Sequence, residues 1–132
     1  MNKKLKVLLV EDDKFMNEIL RDYMASEGMY VDAVFSYSDA VYQINSESGY
    51  DILIVDYNLN KNNSKNGLEI HDKLKELNPG IKTIMISAYG NKIIKKNAYL
   101  KGIHYFLDKP FVLDELSMRI LELKKMDLKN KM

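Results

Sequence analysis

The chain has 132 residues, and its 20 basic and 19 acidic residues leave a formal net charge of +1. This length predicts one domain, and the near-balance of charge argues against a general nucleic-acid binder or a membrane-surface protein, both of which need a basic excess. The absence of cysteine excludes disulfides, thiolate metal sites and cysteine nucleophiles. Because the sequence has neither a membrane-spanning apolar run nor a signal peptide, we expect a cytoplasmic protein.

Short apolar runs alternate along the chain with longer segments in helical spacing. The runs predict strands over residues 5–10, 30–34, 52–55, 83–86 and 104–107. The segments between and after them predict helices over 14–27, 38–47, 68–77, 91–100 and 110–125. Five strand–helix repeats are typical of an α/β fold with a five-stranded parallel sheet and helices on both faces. Residues 1–125 form the predicted domain, and the basic segment 126–132 is predicted to be a frayed helix end.

Polar side chains follow four of the predicted strands. Glu11 and Asp12 follow the first strand, Asp56 the third, Ser87 the fourth and Lys109 the fifth. Ligands of open α/β sheets bind at the carboxyl ends of the strands, so we expect these side chains around one crevice. Clustered carboxylates repel unless a cation joins them, and all-oxygen ligands favour Mg²⁺. A carboxylate can also accept a phosphoryl group, whose oxygens a lysine and a metal would neutralise.

Each of these features also has a structural explanation. Acids after the first strand suit a helix N-terminus, where Asp13 can act as the cap. Asp56 can end a strand at a turn, and Lys109-Pro110 can connect a strand to a helix. The two histidines, His71 and His104, have no partner at ligand spacing and are expected at the surface or at strand edges.

Five short motifs lie in order on these elements. They are LLVEDD (8–13), IVDYN (54–58), NG (66–67), SAYG (87–90) and DKPF (108–111). The set resembles the receiver domain of bacterial two-component response regulators, in its stand-alone, chemotaxis-receiver-like form, over residues 5 to about 123. The resemblance implies a flavodoxin-like receiver fold with strand order 2-1-3-4-5.

The resemblance also implies a role for each residue of the acidic crevice. Asp56 corresponds to the phosphoacceptor, and Asp12 to a direct ligand of Mg²⁺. Asn58 corresponds to a residue that offers its backbone carbonyl to the metal, while Glu11 acts mainly through a metal-bound water. Asp13 falls outside the family's acid pair.

A second group of residues is implied to bind the phosphoryl group and to report its presence. Lys109 and Ser87 correspond to the residues that contact phosphoryl oxygens, and the Lys109–Pro110 bond is implied to be cis. Phe106 occupies the aromatic switch position. Phosphorylation would draw Ser87 toward the new oxygens and let Phe106 fill the vacated space, which changes the face of the fourth helix, fifth strand and fifth helix.

The implied partners are a sensor histidine kinase or phosphotransfer protein and a downstream protein target on the face of the fourth helix, fifth strand and fifth helix, with no direct nucleic-acid or membrane contact. The domain would be a monomer or a phosphorylation-dependent dimer. It would not be an enzyme on external substrates but a self-phosphorylating phosphoacceptor that can dephosphorylate itself. The alternatives are a receiver excised from a larger DNA-binding or enzymatic regulator and a receiver-like docking module that is not phosphorylated.

One loop departs from the family pattern. The polar segment over residues 57–67 is longer than the usual spacing between the phosphoacceptor and the following glycine. We expect this loop to be mobile, with Lys61 or Lys65 screening the phosphate or contacting a partner.

Overall fold

The computed structural model describes residues 4–59, 66–88 and 90–131, with side chains described through residue 126. Strands and helices alternate in the predicted order. The strands are β1 (Lys6–Val10), β2 (Tyr30–Val34), β3 (Ile52–Asp56), β4 (Lys82–Ser87) and β5 (Tyr105–Asp108). The helices are α1 (Lys14–Ser26), α2 (Tyr37–Ser46), α3 (Gly67–Leu77), α4 (Lys92–Leu100) and α5 (Leu113–Lys131).

The five strands form one parallel sheet in the order β2-β1-β3-β4-β5, which confirms the predicted fold. All five residues of β3 are buried because this strand lies at the centre of the sheet and is covered on both faces. The register pairs Val10 with Val55 and Asp56 with Ile86. The carboxyl ends of β1, β3 and β4 are therefore aligned at one edge of the sheet, which we call the carboxyl edge.

Alternate residues of the strands pack into two separate cores. On one face, α1 and α5 cover side chains that include Leu9, Ile54 and Ile84. On the other face, α2, α3 and α4 cover side chains that include Leu53 and Met85. Successive residues of a strand point to opposite faces, so neighbouring residues pack in opposite cores, and burial on both faces stabilises the sheet.

The first helix begins and ends as its sequence predicts. The Asp13 carboxylate accepts a hydrogen bond from the backbone N–H of Met16 at 2.9 Å, which satisfies a donor of the first turn. Gly28 follows the helix with φ at +87°, a left-handed conformation that favours glycine. The loop that carries the acidic motif is thus fixed at its junction with α1.

The last helix differs from its prediction at both ends. It begins at Leu113 rather than Pro110, because the Lys109 N–H still bonds the Ser87 carbonyl along the sheet and residues 110–112 make the turn. It continues to Lys131 rather than ending at residue 125, since the methionine, leucine and lysines over residues 126–131 are good helix formers and no glycine or proline interrupts them. The domain boundary at residue 125 stays a prediction.

Two further points concern the extent of the chain. The expectation for Lys61 and Lys65 lies outside the described residues. Among the described ranges, no helix combines the length and apolar character that crossing a membrane requires.

Candidate functional site

Three carboxylates meet at the carboxyl edge. Glu11 and Asp12 follow β1, and Asp56 ends β3. One oxygen from each lies within 4.8 Å of the others. Glu11 and Asp56 are buried, whereas Asp12 is exposed, so the cluster is open to solvent on one side only. The structure thus brings together the three acids that the sequence placed at one crevice.

A single ammonium group lies between the two buried acids. Lys109 Nζ is 2.6 Å from Glu11 Oε1 and 2.8 Å from Asp56 Oδ2. The lysine follows β5, which lies two strands away from β3 in the sheet. Its backbone N–H donates to the Ser87 carbonyl at 2.9 Å, and this bond holds Lys109 at the carboxyl edge, from which its side chain reaches the cluster. Fully ionised, three carboxylates and one ammonium leave an excess of negative charge at the site.

The protonation of Glu11 reflects that excess. Burial raises the pKa of Glu11 to about 7; the hydrogen bond with Lys109 opposes this rise, and the charge of Asp56 adds to it. Burial alone would lower the pKa of Lys109, but its hydrogen bonds to Asp56 and Glu11, together with their charges, raise it. A cation that joined the acids would relieve their repulsion and keep Glu11 ionised.

Asp56 is held from both of its oxygens. Oδ1 accepts a hydrogen bond from the backbone N–H of Asn58 at 3.0 Å, and Oδ2 accepts one from Lys109 Nζ at 2.8 Å. Gly67 opens α3 directly beside this residue, and a Cβ at position 67 would collide with the backbone carbonyl oxygen of Asp56. The start of α3 therefore approaches the candidate phosphoacceptor as closely as only glycine permits.

Ser87 and Phe106 lie beside the acidic cluster on neighbouring strands. Ser87 is fully buried at the end of β4, opposite Asp108 in the sheet register. Phe106 is 9% exposed and packs in the core that α4 covers. A Cβ added to Gly90 would meet the Phe106 ring, so the present ring position requires glycine there. The Lys109–Pro110 bond is cis, as the resemblance implied.

A lysine of α4 covers the Phe106 ring from outside. Lys95 Nζ lies 5.6 Å from the ring centroid and 2.7 Å from Asp108 Oδ2. Asp108 immediately precedes Lys109, so this ion pair links α4 to the segment that carries the site lysine. Phe106 is thus enclosed by the core on one side and by a charged contact on the other.

Asn17 is a site residue that the sequence reasoning missed. It is fully buried on α1, and its Nδ2 donates to the backbone carbonyls of Glu11 and Val34 at 2.9 and 3.0 Å. These bonds hold the acidic loop against the end of β2. The spacing in the sequence carried the signal, because Asn17 shares its helix face with the buried Leu20 and Met24. A polar residue on an apolar helix face is expected to be buried and hydrogen-bonded.

The histidines lie away from the acids, at the opposite end of the sheet. The surface or strand-edge position predicted for His71 is wrong: this side chain is fully buried. Its Nε2 lies 2.9 Å from the Lys101 carbonyl and its Nδ1 lies 2.8 Å from Thr83 Oγ1. Burial lowers the pKa of His71 and so favours the neutral ring. Because a carbonyl only accepts, Nε2 carries the single proton and Nδ1 accepts a hydrogen bond from the threonine hydroxyl. His71 is therefore a neutral, fully bonded residue of the core.

Comparison with known proteins agrees with this arrangement. The family model described as response regulator receiver domain matches residues 7–121. The transcriptional regulatory protein CiaR of Streptococcus pneumoniae is 32% identical over 122 residues, which cover 92% of this chain and 52% of CiaR. The transcriptional regulatory protein RprY of Bacteroides fragilis is 28% identical and is covered to 49%. The chain thus spans about half the length of the curated relatives it matches.

Solved structures share the same fold. A CheY-like response regulator receiver domain protein from Methanospirillum hungatei superposes with a TM-score of 0.86 at 22% identity, covering 96% of this chain and 99% of the other. NtrX from Brucella abortus gives a TM-score of 0.85 at 25% identity, covering 98% of this chain and 29% of NtrX. Since the family model matches residues 7–121 and the sheet has the order 2-1-3-4-5 that the resemblance implied, the chain belongs to the response regulator receiver domain family of two-component systems.

Proposed function

We propose that this receiver accepts a phosphoryl group on Asp56 and signals the modification through its α4-β5-α5 face. The donor is the phosphohistidine of a sensor kinase or phosphotransfer protein, or a small acyl phosphate. The observation that carries the proposal is the position of Asp56: a buried carboxylate within 2.8 Å of the Lys109 ammonium and beside two further acids. A purely structural aspartate needs no such surroundings.

The residues at the site fit Mg²⁺. The side-chain donors are all carboxylate oxygens, the cluster has an excess of negative charge, and it is open to solvent at Asp12. Asp12 and Asp56 would hold the ion directly with the backbone carbonyl of Asn58, and Glu11 would act through a water. When bound, Mg²⁺ neutralises oxygens of the transferring phosphoryl group.

The transfer itself is a substitution at phosphorus. An oxygen of Asp56 attacks, and the bond from phosphorus to the donor nitrogen or oxygen breaks with its electron pair left on the donor. Lys109 stays protonated and shifts its contact from the free carboxylate to a phosphoryl oxygen, and Ser87 donates its hydroxyl to another. Attack of water on phosphorus later returns Asp56 and inorganic phosphate, so the chain acts on itself rather than on external substrates.

The signal passes from Ser87 to Phe106. The phosphoryl group adds negative charge and strong acceptor oxygens, which draw Ser87 toward Asp56. Phe106 then shifts into the space beside β4, and the Lys95–Asp108 ion pair above its ring rearranges with it. The phosphoryl group interacts more favourably with the shifted position of Ser87 and Phe106, and this difference in free energy sets how far the population moves to that conformation.

The face that changes carries apolar side chains suited to a protein partner. On α4, Ile93 and Leu100 are exposed, and on α5, Met118 and Leu121 are exposed. The target is a protein in the cytoplasm or a second phosphorylated copy, with no direct contact between this domain and nucleic acid. The relatives named as transcriptional regulators are about twice as long as this chain, which supports an output domain attached to the receiver as the second candidate.

Mass spectrometry of the intact protein tests the proposal. After incubation with Mg²⁺ and acetyl phosphate, we expect the wild-type chain to gain one phosphoryl group and Asp56→Asn to gain none. Asp13→Asn is the matched control, because it removes a nearby acid while asparagine still caps α1. This control is expected to label like the wild type.

Two outcomes would contradict the proposal in different ways. A folded, magnesium-replete wild type that stays unmodified with both acetyl phosphate and a phosphohistidine donor would favour the docking-module alternative. Equal labelling of Asp56→Asn and the wild type would show that another residue is the acceptor.

A further inference from the structure

A recess lies at the amino edge of the sheet, opposite the acidic cluster. It has a volume of about 570 Å³ and lies between the end of α3, the turn before β4 and the loop before β5. Its polar lining consists of Lys75, Lys82 and His104, and Pro79 and Met126 contribute apolar surface. None of the lining residues whose side chains the structure describes is acidic. The recess is therefore cationic on one side and apolar on the other.

His104 presents a hydrogen-bond donor to this recess. Its Nδ1 accepts the backbone N–H of Thr83 at 3.2 Å, so in the neutral ring the proton resides on Nε2. Within the described part of the chain, this Nε2 donor has no partner. A half-buried N–H that lines a cavity and bonds nothing is available to an acceptor from outside the protein.

Lys75 contributes a cation to the same space. Its Nζ lies against Gly102, where an added Cβ would collide with it. Gly102 has φ at +95°, so both the conformation and the space at this position favour glycine. Among the described side chains, Lys75 makes no ion pair. The Lys75 ammonium thus lies against the loop before β5, where no described carboxylate neutralises its charge.

The electrostatics at His104 reflect these charges. Burial lowers the pKa of His104, and the positive charges of Lys82 and Lys75 lower it further, with no acid acting in the other direction. An anion in the recess would reverse that effect, because it would favour the protonated ring.

We propose that this recess binds a small phosphate monoester, with its phosphate against Lys75 and His104 and its organic part against Pro79 and Met126. A phosphate dianion carries twice the charge of a carboxylate and has three acceptor oxygens, so it gains more than a carboxylate from the Lys75 ammonium and the His104 N–H. The apolar side of the recess would be left unused by a bare inorganic ion. The site lies at the end of the sheet opposite Asp56, so it is separate from the phosphoacceptor and goes beyond the proposed function.

NMR titration of the labelled wild-type protein tests this site. Chelator is present and Mg²⁺ is absent, so the acidic cluster repels anions. Phenyl phosphate, inorganic phosphate and acetate are the probes, at matched ionic strength. We expect saturable shifts of the His104 ring and the Gly102 amide, with phenyl phosphate binding more tightly than inorganic phosphate and acetate not saturating.

Three variants separate the site from general charge. Lys75→Ala is expected to weaken phenyl phosphate binding by about tenfold, which corresponds to about 1.4 kcal/mol. His104→Asn keeps an acceptor for the Thr83 N–H but loses the Nε2 donor, and is expected to weaken binding by about threefold to tenfold. Lys73→Ala removes an exposed lysine from the same helix and is expected to change affinity less than twofold.

The proposal is overturned by shifts that do not saturate, by equal weakening in Lys75→Ala and Lys73→Ala, or by unchanged affinity in both Lys75→Ala and His104→Asn. Shifts confined to Ser87 and Lys109 would place the anion at the acidic cluster and would also overturn it. None of these results bears on the labelling of Asp56, so the two proposals succeed or fail separately.

Discussion

The two edges of the sheet hold buried polar groups of opposite character. At the carboxyl edge, Glu11 and Asp56 share the single ammonium of Lys109. At the amino edge, His71 is neutral and bonds Thr83 through one ring nitrogen and a backbone carbonyl through the other. The acids at the carboxyl edge have too few cations, whereas both ring nitrogens of His71 have a partner.

This difference separates a site from a structural network. Burying a polar group costs little once its hydrogen bonds are made, which is the state of His71. Burying like charges together raises the pKa of one of them, which is the state of Glu11. A sequence selected for stability alone would leave no buried charges that repel one another. The acidic cluster retains such charges, so we expect chemistry there.

The largest expected effect is at Lys109. Lys109→Met removes the cation that contacts both Glu11 and Asp56, and with it the charge that stabilises the transferring phosphoryl group. We expect phosphorylation by acetyl phosphate to slow by about 100- to 1,000-fold, equivalent to about 3–4 kcal/mol. Labelling rates followed by intact mass measure this change.

Lys101→Met is the matched control for charge. Lys101 also pairs with an aspartate, Asp72, but that pair lies outside the acidic cluster, at the other edge of the sheet. We expect its labelling rate to stay within about threefold of the wild type, because partly exposed pairs contribute little. Equal slowing in both variants would mean that overall charge, and not the position of Lys109, controls the reaction.

At the amino edge, the expected effect is on stability and not on labelling. His71→Leu leaves the Thr83 hydroxyl and the Lys101 carbonyl without their partner, and each loss costs about 1–2 kcal/mol. We expect the free energy of unfolding, measured by urea denaturation, to fall by about 2–3 kcal/mol while the folded variant labels normally. A large loss of labelling in the folded variant would contradict the separation of the two edges.

These two edges also show what the sequence could predict. Apolar runs identified all five strands, and the residues after them identified the acids and Lys109, because position along a parallel strand determines which edge a side chain reaches. His71 was not predicted, since helical periodicity treats histidine as polar and carries no information about Thr83 or the Lys101 carbonyl, which meet it only in the fold. Asn17 was missed for the same reason.

The acidic edge predicts a pH dependence of stability in chelator. The folded pKa of Glu11, about 7, exceeds its ordinary value of 4.5, so the native state binds more protons between those values. The stabilisation is complete below pH 4.5 and is lost as the pH rises through 7. Relative to Glu11→Gln, we expect the wild type to lose about 2 kcal/mol between pH 5 and pH 8, measured by urea denaturation.

Magnesium gives the control for this dependence. Saturating Mg²⁺ is expected to reduce the loss in the wild type, because the ion stabilises ionised Glu11. If the stability difference between wild type and Glu11→Gln stays constant from pH 5 to pH 8 in chelator, the pKa of Glu11 is not raised in the folded protein.

The smallest expected effect is at the amino edge and has the opposite sign. Burial lowers the pKa of His71 below its ordinary value of 6.5, so its stabilisation is complete above pH 6.5 and is lost as the pH falls through the folded pKa. The advantage of the wild type over His71→Leu is therefore expected to shrink by about 1 kcal/mol between pH 7 and pH 5. An advantage that grows toward low pH would mean that His71 is buried as a cation.

Borohydride trapping of the phosphorylated protein, followed by peptide mapping, tests the central claim most directly. Reduction converts an acyl phosphate on aspartate into homoserine, which marks the acceptor in the wild-type chain without any substitution. We predict homoserine at position 56 alone, in a magnesium-dependent amount. Homoserine at position 12 or 13, or at position 56 with an equal yield in chelator, would contradict the assignment of Asp56 to a metal-assisted phosphoacceptor site.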